Sequence, residues 1–130
     1  MFKDKTVVIT GGSSGVGREL AMRLAKRGAR LALLARGREM LEETRNEIAG
    51  AHPGASVEIV SCDVTDSAAV DSAFRAVADS QLGAPHVLIN SAGILIENYF
   101  EKLPLEVFRK TMDINFFGAL HCIRAALPYF

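Results

Sequence analysis

Thr6-Val7-Val8-Ile9-Thr10-Gly11-Gly12-Ser13-Ser14-Gly15-Val16-Gly17 decides the reading of this chain. Thr6 to Thr10 is a β-branched run, which reads as a strand buried on both faces. Glycines interrupt it. From Val16 to Arg27, Val16, Leu20 and Leu24, with the small Ala21 and Ala25, fall on one face at helical spacing, and Gly28 supplies the C-cap. Three glycines thus stand at fixed offsets between a strand and a helix. Gly11 lets the chain turn sharply off the strand. Gly15 allows the backbone to approach a pyrophosphate with no Cβ in the way, and Gly17 lets the helix pack close to the sheet. The helix N-terminus offers unpaired N–H groups and the positive end of its dipole to phosphates, and Ser13 and Ser14 can add hydroxyl donors.

Outward from this turn, strand and helix patterns alternate. Ala29 to Ala35 reads as a second strand, and Arg38 to Ala49 as an amphipathic helix with Met40, Leu41 and Ile48 inside. Val57 to Cys62 is a third strand. Thr65 or Asp66 caps a helix carrying Val70, Phe74 and Val77. Val87 to Asn90 is a fourth strand. A short helix near Leu105 to Arg109 leads into a longer one through Phe116, Leu120 and Ile123, which Pro128 brings towards its end. Such alternation implies an α/β fold with a parallel sheet and right-handed crossovers, its ligand at the carboxyl ends of the strands.

The bulk composition narrows the classes. One hundred and thirty residues, 49% hydrophobic, suffice for one core. The 15 basic and 15 acidic residues cancel, so a nucleic-acid partner has no electrostatic footprint. No apolar run approaches the roughly 18 residues of a membrane span, and Met-Phe-Lys-Asp-Lys lacks the apolar region of a signal peptide. Cys62 and Cys122 share no CxxC spacing and read as buried reduced thiols, which makes the cytoplasm the expected location. His52, His86 and His121 share no ligand spacing, so no metal site is expected and the three read as structural or solvated.

Thr-Gly-x-x-x-Gly-x-Gly at Thr10–Gly17 resembles the signature of classical short-chain dehydrogenases/reductases. Cys62-Asp63-Val64, Asn90-Ser91-Ala92-Gly93 and Met112-Asp113-Ile114-Asn115 agree with that family in order and spacing, so the resemblance covers the whole chain. It implies the N-terminal half of a Rossmann-type doubly wound parallel sheet, with residues 1–130 forming an incomplete NADP(H)-binding domain. The cofactor-binding residues it implies are Gly11, Ser13, Ser14, Gly15, Val16, Gly17, Asp63, Val64, Asn90, Ala92 and Gly93. Asp63 corresponds to the residue that bonds the adenine amino group, assisted by the Val64 backbone. Ser91 stands where the family has a second asparagine. Arg36 and Arg38, beyond the second strand, take the place of a ribose-binding carboxylate and point to a 2′-phosphate, which a guanidinium grips through two parallel hydrogen bonds.

Asn115 sits between Ile114 and Phe116-Phe117, an odd place for an amide unless it has a buried task. By resemblance it is the catalytic asparagine, which bends its helix and holds a water in the proton relay to an active-site lysine. A buried Asn bonded to neighbouring backbone is the plainer reading. Phe116, Phe117, Leu120 and Ile123 read as core or as part of an oligomer face. The resemblance implies a homo-oligomer through the Asn115–Phe130 helix.

The family transfers hydride between nicotinamide and a carbonyl or alcohol substrate with a Ser-Tyr-Lys set spaced Tyr-x-x-x-Lys. Here Tyr99 is followed four residues later by Leu103, and Tyr129 only by Phe130. These residues are therefore expected to be part of a chain about twice as long and to show no turnover by themselves; a naturally short, non-catalytic nucleotide sensor is the competing expectation. Gly93 to Phe100 is apolar and hints at a lipophilic substrate, and the Gly-Gly-Ser-Ser-Gly loop with Ala-Arg also resembles the 3-ketosphinganine reductase branch.

Overall fold

The computed structural model describes all residues, Met1–Phe130. Four parallel strands, β1 (Thr6–Thr10), β2 (Arg30–Ala35), β3 (Val57–Ser61) and β4 (Val87–Asn90), lie in the order β3-β2-β1-β4. Five helices accompany them: α1 (Gly15–Lys26), α2 (Arg38–Ala51), α3 (Ser67–Asp79), α4 (Leu105–Met112) and α5 (Ala119–Ala126), with a π-helical segment, Asp113–Gly118, joining the last two. This is the Rossmann-type α/β arrangement expected.

Strand side chains alternate between faces, so a strand covered on both sides must be apolar throughout. Val7, Ile9, Leu31 and Leu33 pack on one face against Ala21 and Leu24 of α1 and Leu41 and Ile48 of α2. Val8, Ala32 and Leu34 pack on the other against Val70, Phe74 and Val77 of α3 and Cys122 and Ala126 of α5. β1 lies between β2 and β4, with Thr10 in register with Leu34 and Asn90. The chain runs from β1 outward through β2 to β3, then crosses back to β4, so the winding reverses between β1 and β4. A crevice opens there, at the carboxyl ends of the strands.

Several local expectations are corrected. Met40 is 48% exposed, because the buried face of α2 runs Leu41, Thr44, Ile48 and Met40 lies a third of a turn off it. Val16 is 71% exposed at the first turn of α1, whose buried face is Gly17, Ala21, Leu24 and Ala25. β3 stops at Ser61, leaving Cys62 in the turn beyond. The α3 cap is Asp66, one of the two residues expected, which accepts from the Ala69 N–H at 3.1 Å. Arg27 is the C-cap of α1, and Gly28 follows it at φ +79°. The helix that carries Asn115 is not continuous. Its buried residues are Ile114, Gly118, Cys122, Ala125 and Ala126, so Phe116, Phe117, Leu120 and Ile123 lie on the outer surface.

Of the histidines, His86 accepts the Thr6 N–H at Nδ1 (3.1 Å), and the Thr6 hydroxyl donates to the Leu82 carbonyl. These bonds tie the start of β1 to the chain entering β4.

Candidate functional site

The glycine turn places backbone where side chains cannot go. Gly11 has φ +68°, and a Cβ on it would lie 2.9 Å from the backbone of Ser91 and Ala92. A Cβ on Gly17 would stand against the Gly11 carbonyl, 2.9 Å from its carbon, with the Ser91 hydroxyl at 3.2 Å. The close contact at Gly17 is thus with the turn itself. Gly15, at φ +53°, is different: nothing lies within 4 Å of the position its Cβ would take. Two glycines are required by the protein's own packing, and the third faces open space.

Thr10 fastens this turn to the segment after β4. Its hydroxyl oxygen accepts the Ser91 and Ala92 N–H groups, both at 3.2 Å. The sequence gives Thr10 as a strand former, and nothing in a β-branched residue announces the second task of its hydroxyl.

Between the turn, the end of β2, the Cys62–Val64 turn and the Ala92–Ile94 segment lies a cleft of ≈ 480 Å³. Among the expected residues it brings together Gly11, Ser13, Ser14, Arg36, Asp63, Val64, Ala92 and Gly93. Gly17 supports the turn from beneath, Gly15 and Val16 stand exposed at the start of α1, and Asn90 ends β4 in register with Thr10. Arg38 does not line the cleft; its Nε donates to Glu42 Oε1 at 3.1 Å, one turn along α2. Sequence reasoning missed Leu34, Ala35, Gly37, Met40, Cys62, Ile94 and Ile114 as lining residues. Most are chain neighbours of motif residues, which was the only signal available. Met40 is informative, since its failure to join the core puts it at this rim.

Arg36 is exposed, with no carboxylate partner, and its carbonyl accepts the Ser61 hydroxyl at 2.8 Å. Its base is fixed while its guanidinium is free. Asp63 Oδ1 accepts both the Thr65 N–H (2.9 Å) and the Thr65 hydroxyl (2.8 Å), which leaves Oδ2 without a protein partner. Those two bonds, with a further contribution from the Arg36 charge, hold the Asp63 carboxyl below the ordinary carboxylate range despite an opposing effect of desolvation. Because the folded-state value is depressed, the ionised form is favoured; any stabilisation is present above the unfolded value and is lost as pH falls through the folded one. A carboxyl-carbon NMR titration is expected to place the Asp63 midpoint below 3.8, with no step above about pH 5. A midpoint above 3.8 would contradict this account of the turn.

Burial pushes the Cys62 thiol up to about 11, helped by Asp63 and Asp66, and the Cys122 thiol up to about 12, helped by Cys62. Neither is a nucleophile at neutral pH.

Asn115 is exposed rather than buried, yet both ends of its amide are engaged. Its Oδ1 accepts the Ile94 N–H and its Nδ2 donates to the Ile94 carbonyl, both at 2.8 Å. The amide thus pairs with one residue's backbone as a neighbouring strand would. It sits within the π-helical segment, the kind of local widening that recurs at functional sites.

The family model described as short chain dehydrogenase matches residues 5–130. The chain belongs to the short-chain dehydrogenase family. An uncharacterized oxidoreductase of Staphylococcus saprophyticus is 39% identical over 127 residues, 98% of this chain and 50% of that protein; one of Staphylococcus epidermidis is 32% identical over 127 residues, covering 98% and 53%. The chain therefore spans about half the length of the curated relatives it matches. Among solved structures, levodione reductase superposes with a TM-score of 0.93 at 34% identity, over 99% of this chain and 50% of that one. NAD+-bound xylitol dehydrogenase superposes with 0.92 at 29%, over 98% and 48%. These relatives establish an oxidoreductase family; the 3-ketosphinganine reductase branch is not distinguished by them.

Proposed function

We propose that residues 1–130 are the NADP(H)-holding half of a short-chain reductase that reversibly converts a carbonyl compound to an alcohol. The observation that carries this is the cleft itself, where the Gly11–Ser14 turn, a guanidinium without an ion pair and a carboxylate oxygen without a protein partner converge, with the open space over Gly15 beside it. A dinucleotide fits these groups. Its pyrophosphate would lie over Gly15 beside Ser13, Ser14 and the Val16 end of α1, where N–H groups and the helix dipole favour negative charge. Asp63 Oδ2 is available to accept from the adenine amino group, with the Val64 backbone beside it. Arg36 is available to a 2′-phosphate, with Arg38 secondary while Glu42 holds it. Asn90, Ala92 and Gly93 give the nicotinamide ribose a small-residue wall. Nicotinamide, when bound, supplies or accepts the hydride.

Asn115 pins Ile94 with its amide, and we read the π-helical backbone around it as the element that holds a water in the proton relay. The exposed Leu95, Ile96, Tyr99 and Phe100 beyond Gly93 suit a lipophilic substrate. The exposed Phe116, Phe117, Leu120 and Ile123 suit pairing with a second copy. No helix is long and apolar enough to cross a membrane, and two free buried thiols fit a reducing cytoplasm.

Calorimetric titration of NADPH and NADH into the protein tests the reading. Saturable binding with NADPH preferred by at least about tenfold, or 1.4 kcal/mol, is expected. Binding of neither nucleotide overturns the proposal, and equal affinities overturn the NADP preference.

A further inference from the structure

The helix that carries Asn115 touches the cleft at a second place. Ala119 to Ala126 is apolar or small apart from Arg124 and His121, and Arg124 is exposed. His121 is half-buried, with Nδ1 2.7 Å from the Val64 carbonyl. A carbonyl oxygen only accepts, so Nδ1 carries the hydrogen and donates. One helical turn earlier Gly118 meets the same residue: a Cβ there would lie 2.6 Å from Val64 Cγ2. Val64 is thus held by its side chain against a glycine and by its carbonyl against a histidine. Its neighbour Asp63 is held by Thr65. The turn beyond β3 is therefore held at both residues, at Val64 by its side chain and carbonyl and at Asp63 by one carboxylate oxygen, which leaves Asp63 Oδ2 free to face a ligand.

We propose that His121 is a positioning residue for the nucleotide's adenine. It touches no ligand; by holding the Val64 carbonyl it fixes the peptide beside Asp63, so that the carboxylate and the Val64 backbone keep one aim into the cleft. The proposal rests on the nucleotide reading above. It assigns the adenine end of the cleft to α5, whereas Asn115 ties the same helical run to Ile94 at the other end. A leucine at position 121 would pack as well against the apolar core but would leave the Val64 carbonyl unpaired.

Asparagine and glutamine separate the hydrogen bond from mere packing. The asparagine amide nitrogen sits about where imidazole Nδ1 sits, and the glutamine amide reaches about where Nε2 does, away from the carbonyl. In the full-length protein, His121→Gln and His121→Leu are expected to weaken NADPH and NADH by the same factor, about five- to tenfold, because both nucleotides carry adenine. His121→Asn is expected to stay within about twofold of the unaltered protein. The loss should appear in the nucleotide KM and leave kcat unchanged. If Leu does not fold, the Asn and Gln pair carries the comparison, with melting temperatures measured alongside. Equal affinities for Asn and Gln, or a loss confined to NADPH, overturn the positioning role while leaving the nucleotide site intact. Failure of the unaltered protein to bind either nucleotide overturns both.

Discussion

A Gly17→Ala substitution is expected to cost this protein stability through a clash in its own turn and nucleotide binding with it, whereas Gly15→Ala, two residues away, is expected to cost stability only through backbone strain and to lose the ligand. The added methyl at position 17 meets the Gly11 carbonyl, which is backbone fixed by the turn and by Thr10. It has no flexible neighbour to push aside, so the N-terminus of α1 must back away from β1. Overpacking of this kind costs about 1–3 kcal/mol, and displacement of the helix N-terminus would lower nucleotide affinity by about a hundredfold if the upper value is expressed there. At position 15 the methyl meets nothing in the protein. The residue does sit at φ +53°, where an L side chain costs about 1–2 kcal/mol. Its main effect is to occupy the space into which a pyrophosphate would come. Melting temperatures and NADPH titrations of the two variants check this. Near-native melting of the Gly17 variant, or undiminished NADPH affinity in the Gly15 variant, would remove the distinction between a packing glycine and a ligand-facing one.

Arg36→Asp carries the second large effect. The guanidinium stands at the end of β2 with no ion pair to hold it, although the Asp63 carboxylate is near enough to feel its charge, and hydrogen bonds to a charged partner are worth about 1.5–3 kcal/mol. Losing it is expected to weaken NADPH by about 10- to 100-fold. The new carboxylate would also repel a 2′-phosphate and could accept from unmodified ribose hydroxyls, so NADH binding is expected to improve. Arg38→Ala is expected to do less, because Glu42 already holds that side chain. Titrating both nucleotides into the variants checks the order of effects, and unchanged NADPH affinity in Arg36→Asp would sink the assignment.

The fold was legible because its signals are local and repeated. Four apolar strand runs, each followed by a helical pattern, leave few alternatives to a parallel sheet, and the glycine loop marks its first turn. Legibility failed where a residue's type suits two jobs. Met40 and Val16 fit an apolar helical stripe, yet a residue one position off the stripe is turned by about 100° and emerges at the surface. Phe116, Phe117, Leu120 and Ile123 share a helix with a complete buried face built from smaller residues, and no pattern in one sequence says which of two apolar faces turns inward. Within the candidate site, the motif-bearing residues could be named from the sequence, whereas the residues that hold them in place could not. Thr10 and His121 act through one hydroxyl and one ring nitrogen on backbone 57 to 82 residues away, a distance over which sequence carries no periodicity.

The side-chain pairings of the segment after β4 also divide its amide protons by kind. Ser91 and Ala92 donate to the hydroxyl of Thr10 on the central strand, and Ile94 donates to the carboxamide of Asn115 on a helix. Deuterium uptake at Ile94 therefore counts the occasions on which that helix lifts from the sheet, while uptake at Ser91 and Ala92 counts separation of the central strand from its neighbour. These three nearly adjacent residues thus provide two independent clocks for two different opening motions of one cleft, and a ligand that slows only one of them reveals which wall it braces.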